Sequence, residues 1–390
     1  MKITKIDILK MRPEEGRGNY MFCRVYTDEG IYGDGEVALS YGFVANAAVA
    51  IMKDLAPMLI GEDPLNHEVL WQKLYRTCFW GRNAGPIIFG GISAFDLALW
   101  DIKGKAFGVP LWQLLGGKYR ESLRAYASQI QGGMPKHRRN CKTPEDYAES
   151  AREAVAEGFD AVKLNFFMND NNGVRYDLNT QLGLLSPETL DTVEARIAAT
   201  REAIGPKVDI ILENHCYTDA TGAIQIGNIA KKYGILYFEE PTNPQPDTLK
   251  FVHDETGLPI ASGERIYSRW QYKRFLDKRA IQIIQPDLGN TGGITEVKKI
   301  CDMAYENEAA VQIHIAGSPI ILAPSLQMES TIANYAIHEY NVNFVAPSHL
   351  ELGKYVYEPV NGKYTVPNIP GNGNELSDLA FACSDIITIQ

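Results

Sequence analysis

Positive charge is scarce in this chain. Its 390 residues carry 38 Lys and Arg against 48 Asp and Glu, a net charge of -10. Nucleic acid and anionic membrane surfaces both select for basic patches, so neither is an expected partner. Long apolar runs are missing too, since no stretch approaches the roughly 20 residues that cross a bilayer. The opening MKITKIDILKMRPEEG lacks the apolar centre of a secretory signal. Cysteine is sparse: six residues (Cys23, Cys78, Cys141, Cys216, Cys301 and Cys383) lie scattered without metal-type spacing. Free thiols and a cytoplasmic location are the expectation for such a chain. What remains, 45% hydrophobic and 22% charged, suits a globular protein with a large core.

Two rhythms divide the chain. In residues 1–120, KITKIDILKM, YMFCRVYTDEG and YGDGEVALS read as a three-stranded meander with Gly turns. Helical patterns follow in VANAAVAIMKDLAPMLIG, HEVLWQKLYRTCFW and ISAFDLALWDIKGKAFG, the last ending at Gly108 and Pro110. Over residues 121–350, strand patterns alternate with amphipathic helical ones: LRAYASQI, DAVKLNF, VDIILE, LYFE, PIASG, IQIIQP, AAVQIH and NYAIHE. That count predicts an α/β protein of the (β/α)₈ barrel type behind an α+β domain. One connection, Phe166–Ser186, is long, which suits either a functional lid or a mere excursion. Residues 351–390, rich in Pro, Gly and Asn, are expected to return to the first domain.

Glu213, Glu239 and Glu264 end three successive strand patterns, roughly 25 residues apart, the length of one barrel repeat. Three acids at adjacent strand ends converge, and they repel one another unless a cation lies between them. Oxygen donors suit a hard ion such as Mg²⁺. Lys163 ends the second barrel strand, and Asn165 shares its face two residues on. His215 stands in the same offset from Glu213, which makes it an acid/base candidate. Asp287 and His314 end neighbouring strands, where a carboxylate can orient an imidazole as a base. Glu339 faces the same mouth, where it would be repelled outward or protonated, and a protonated acid can donate to an oxyanion. Arg265, beside Glu264, would touch substrate or pair with a ligand. These parts suit removal of a proton α to a carboxylate, with a second imidazole serving a departing β-hydroxyl.

The segment SAFDLALWDIKGKAFGVPLWQLLGG, then FEEP, SGERIYSRW, QPDLGNTGGITE and a late HEY, resembles the enolase superfamily, mandelate racemase-like branch, over nearly the whole chain. Its K-x-N, acid-x-His and GERxxSR motifs look most like galactonate-type acid-sugar dehydratases. The resemblance implies a capping domain over the barrel and Mg²⁺ on Glu213, Glu239 and Glu264. It also implies Lys163 and Glu339 at the substrate carboxylate, a His314–Asp287 base and His215 as acid. Such sites pair a Lys or His base with Mg²⁺. The implied partner is a small anionic sugar acid, and the implied assembly a homo-oligomer. Cap loops near Gly16–Tyr20 and Trp80–Gly85 would choose the substrate, with Asn19, Tyr20, Trp80 and Arg82 as candidates. Two features depart from the galactonate pattern: Glu213 stands where Asp is usual, and the long loop carries Arg175 and Tyr176, similar to mannonate dehydratases, whose loop Tyr assists proton abstraction. Mannonate-type activity, an acid-sugar racemase or epimerase, and a catalytically weak metabolite-binding protein are the competing expectations.

Overall fold

The computed structural model describes residues 1–12, 18–177 and 181–390. Gly16 and Arg17 of the expected cap loop, and residues 178–180 of the long loop, lie outside them. Strands β1 (Ile3–Met11), β2 (Met21–Thr27) and β3 (Tyr32–Val37) form an antiparallel meander. The helix Pro86–Phe107 lies against it, burying Phe95, Leu99 and Ile102 on Ile6, Ile8 and Val25. Small residues set that approach: a Cβ on Gly35 would sit 1.9 Å from the Ala94 carbonyl oxygen. The helix stops at Gly108, whose φ of 66° a side chain disfavours.

Eight parallel strands follow: β4 (Ser122–Ser128), β5 (Ala161–Leu164), β6 (Asp209–Glu213), β7 (Ile235–Glu239), β8 (Ile260–Ser262), β9 (Ile283–Ile284), β10 (Ala310–Val311) and β11 (His338–Asn341). They pair in chain order from β4 to β10, and β11 returns to pair with β4. A bridge between Val311 and Tyr335 links β10 to the segment leading into β11. The expected NYAIHE strand therefore starts late, at His338, because its first residues are spent on that bridge. The tail adds β12 (Lys363–Thr365) antiparallel to β4 and β13 (Ser384–Ile389) antiparallel to β1. No helix among the described residues is long and apolar enough to cross a membrane.

The barrel interior positions the site. One buried layer holds Tyr126, Ala161, Ile211, Tyr237, Ala261, Ile283 and Ile337. Side chains alternate along a strand, so the residue two positions on shares the inward face. That step leads to Ser128, Lys163, Glu213, Glu239 and Glu339, all buried at the carboxyl end. The polar layer rests on an apolar one; Ile211→Ala beneath it would cost about 2–5 kcal/mol.

Candidate active site

Lys163 is the hub of this layer. Its ammonium donates to Glu239 Oε1 and lies 3.2 Å from Glu213 Oε2 and 3.1 Å from Glu339 Oε1, with all four side chains almost fully buried. Burial opposes charge on Lys163, but Glu239, Glu339 and Glu213 outweigh it and hold the ammonium well above its ordinary range. Burial, with the like charge of its neighbours, drives Glu239 well up and raises Glu213. Glu339 behaves differently. Burial would raise it, yet Lys163 and His314 hold it below the ordinary carboxylate range, while Ser128 Oγ (2.6 Å) and the Ile315 amide (3.1 Å) donate to it. It is buried and ionised, where the sequence suggested a repelled or protonated acid; the ammonium beside it decides the matter.

The two imidazoles stand at opposite ends of the acid row. His314 Nδ1 lies 2.8 Å from Asp287 Oδ2, and its Nε2 lies 3.0 Å from Glu264 Oε2. Burial opposes its charge, but Glu264 and Asp287 push its proton affinity well up. Glu264 is lowered well below the usual range despite burial, by His314 and Arg265. His215 Nδ1 lies 3.6 Å from Glu213 Oε1, and the side-chain amides of Gln129 and Asn165 sit 3.3 Å from its two ring nitrogens. Burial lowers His215 to about 4, so the ring is neutral. Its backbone is in the left-handed region, with φ 48°, as are Gln129, Cys216 and Glu240 at 63°, 59° and 45°. Strain of that kind gathers where side chains must be aimed.

Residues 13–116 match the mandelate racemase / muconate lactonizing enzyme N-terminal domain, and residues 146–380 match the enolase C-terminal domain-like family. The chain belongs to the enolase superfamily. It is 34% identical over 385 residues to a D-galactonate dehydratase of Pectobacterium atrosepticum, covering 97% of this chain and 93% of that one. A D-galactonate dehydratase of Ralstonia nicotianae is similar to the same degree. A crystal structure of an enolase superfamily member from Salmonella Typhimurium superposes with a TM-score of 0.96 at 44% identity, covering 100% of both chains. The 3,6-anhydro-D-galactonate cycloisomerase of Zobellia galactanivorans superposes at 0.83 and 28% identity, covering 99% of this chain and 100% of that one.

The residues of this enolase-superfamily site suit a divalent cation. Glu239 Oε2 is buried without a hydrogen-bond partner, and Glu213 Oε2, which makes no hydrogen bond either, meets the Lys163 ammonium at 3.2 Å. Four buried acids (Glu213, Glu239, Asp287 and Glu339) and the part-buried Glu264 outnumber the cations Lys163, Arg265 and His314. Burial with mutual repulsion raises Glu213 and Glu239, a penalty that a divalent cation would relieve. Among the described residues, no three acidic, His or Cys groups are drawn together closely enough to hold an ion as they stand. Lys163 takes the attraction of Glu213 and Glu239, while Glu264 turns to Arg265 and His314. Crowded carboxylate oxygens still match a hard cation.

Of the other expected residues, Asn165 reaches His215, and the cap and loop residues make their contacts elsewhere. Tyr176 packs on Phe167, with ring centroids 5.3 Å apart, while the neighbouring Arg175 donates to Tyr217 Oη at 2.5 Å. Trp80 is 86% exposed, edge-on to Phe79, and Arg82 is exposed as well. Tyr20 is buried between Phe22, Phe344 and His349 rather than at a loop tip, and Asn19 is half-buried. Asn165 is fully buried; its amide oxygen accepts from Phe167 N at 2.9 Å while its nitrogen faces His215. Sequence reasoning missed Gln129, Ser128 and Glu240. Only for Ser128, two residues past an inward Tyr126, was a periodic signal present.

Proposed function

We propose that this chain is a Mg²⁺-dependent dehydratase of a sugar acid such as an aldonate of the galactonate type, forming a 2-keto-3-deoxy acid. Its relatives named D-galactonate dehydratase support an enzyme of the hydro-lyase kind acting on an acid sugar. The observation that carries the finer reading is the pair of imidazoles, His215 and His314, flanking one row of carboxylates. Dehydration needs two proton handlers: one to take the α-proton, one to serve the leaving β-hydroxyl.

Asp287 orients the His314 ring through Nδ1, which leaves Nε2 to receive the α-proton. Glu264 shares that nitrogen here, so His314 becomes available when Glu264 engages elsewhere. Lys163, charged in a dry site, offers a fixed positive group to the substrate carboxylate. Glu213, Glu239 and Glu264 would hold Mg²⁺, which supplies charge stabilisation to carboxylate oxygens as the α-proton leaves. His215 is kept neutral by burial, and the negative charge of a bound sugar acid would raise its proton affinity towards an acid's role. Tyr176, packed on Phe167, gives no support to a mannonate-type loop Tyr, and the Asp287 partner favours His314 as base.

The test is a panel of aldonic and aldaric acids with Mg²⁺, read by semicarbazide for 2-keto acids. Keto-acid formation from at least one substrate, abolished by chelation and restored by Mg²⁺, is the expected result. Solvent deuterium incorporation with no keto acid would point instead to a racemase or epimerase.

A further inference from the structure

Glu240 follows Glu239 directly and is fully buried, but strand alternation and its φ of 45° turn it out of the inward layer. Its Oε1 accepts from Ser262 Oγ at 2.6 Å and the Gly263 amide at 3.2 Å. Its Oε2 accepts from Arg265 Nη1 at 2.8 Å and Cys216 Sγ at 3.0 Å. The backbone adds Cys216 N to Glu240 O at 2.8 Å and Glu240 N to Ala261 O at 3.0 Å. One carboxylate thereby joins the segments after β6 and β8 to the end of β7, the three strands that carry Glu213, Glu239 and Glu264.

Arg265 is the shared element. The same Nη1 that meets Glu240 also donates to Glu264 Oε1, while Glu264 Oε2 faces His314. Both oxygens of Glu264 are therefore engaged, and an incoming cation has to displace a partner. A guanidinium stays charged, and the fully buried Glu240 carboxylate is costly to leave unpaired, so the 38% exposed Arg265 is held to it. With Glu240 beside it, Arg265 can release Glu264 and keep an anion.

We propose that Glu240 is a positioning residue that retains Arg265 and so frees Glu264 for a divalent cation. The inference rests on the metal reading given under Proposed function. Glu240→Gln is the informative change, because it keeps the shape and an oxygen for Ser262 and Gly263 but removes the charge that holds Arg265. Chelator-stripped full-length protein is titrated with Mg²⁺ by calorimetry. The expected result is about tenfold or greater weakening in E240Q, the usual cost of losing an outer partner of a metal ligand. The E240Q/R265Q double variant then recovers wild-type affinity, since no unpaired guanidinium remains to compete. Unchanged affinity in E240Q overturns the proposal. So does a loss that persists in the double variant, which would mark Glu240 as a backbone clamp only. Should E240Q fail to fold by circular dichroism, R265Q alone decides: Mg²⁺ binding at least as tight as wild type supports the proposal, and weaker binding overturns it. A wild-type protein that takes up no Mg²⁺ overturns the metal reading itself, a result separate from any of these.

Discussion

Two of the histidine–carboxylate pairs among the described residues, His314–Asp287 and His338–Glu329, have nearly the same geometry and opposite settings. His314 Nδ1 stands 2.8 Å from Asp287 at the carboxyl mouth, with its other nitrogen 3.0 Å from Glu264. His338 Nδ1 stands 2.5 Å from Glu329, both side chains fully buried, with its Nε2 unpartnered and its ring edge-on to Tyr364. His338 precedes Glu339 in the chain, and alternation sends the acid inward and the imidazole outward, towards the helix Pro319–Ser330 that carries Glu329. Glu329 also accepts the Ile313 amide at 2.9 Å, tying that helix to the segment before His314. A His–acid pair is thus only half of a base. In the proposed reaction, what lies against the second nitrogen separates the base from a buttress.

Exchanging roles between the pairs breaks this comparison most sharply. His314→Asn is expected to lower turnover per folded molecule by about 10²–10⁴-fold, the contribution of a positioned base. A comparable loss from His338→Asn at full stability would erase the distinction. His338→Ala should act on stability instead, because it leaves Glu329 buried without its imidazole; such uncompensated charges cost about 3–5 kcal/mol. Urea unfolding measures that cost, while kcat per folded molecule should fall by less than about tenfold.

A third acid sharpens the contrast by having neither imidazole nor ammonium. Glu36 on β3 is fully buried and accepts from Ser318 Oγ at 2.6 Å and its amide at 2.9 Å, four residues beyond His314. Burial pushes it up to about 8, against the hydrogen bonds from Ser318. The folded state thus holds this proton more tightly than the unfolded one. Its contribution to stability is full below the ordinary value of 4.5 and is lost as pH rises through about 8. Urea unfolding at pH 5 and pH 9 should show a loss of a few kcal/mol in the wild type, since each tenfold difference in proton affinity is worth about 1.4 kcal/mol. Glu36→Gln should flatten that slope; an unaltered slope places the titration elsewhere. The smallest effect is expected at the exposed rim, where Trp80→Ala should change stability by no more than about 0.5 kcal/mol. A large rise in KM with no such destabilisation would bring Trp80 to the substrate.

Much of the fold was legible because its signals are local. Alternating apolar residues marked the strands, Gly108 and Pro110 ended the long helix, and family motifs in order announced the superfamily. The two-residue steps from Lys163 to Asn165 and from Glu213 to His215 were readable for the same reason. The direction of Tyr176 was not legible, because a loop residue's direction depends on what it packs against, here Phe167. Glu240 was passed over because an acid just off the inward face reads like any turn residue until Ser262, Arg265 and Cys216 converge on it.

The chain alone determined which residues share a strand face, and hence that an ammonium, acids and imidazoles would meet at the barrel mouth, since a period of two is a property of extended backbone. Tertiary structure alone decided their partners and charge states. Glu339 is ionised because Lys163 reaches it, His215 is neutral because it is buried, and Arg265 is shared because Glu240 and Glu264 come from adjacent strands. Charge and burial depend on distances in space, and spacing along a sequence does not set them.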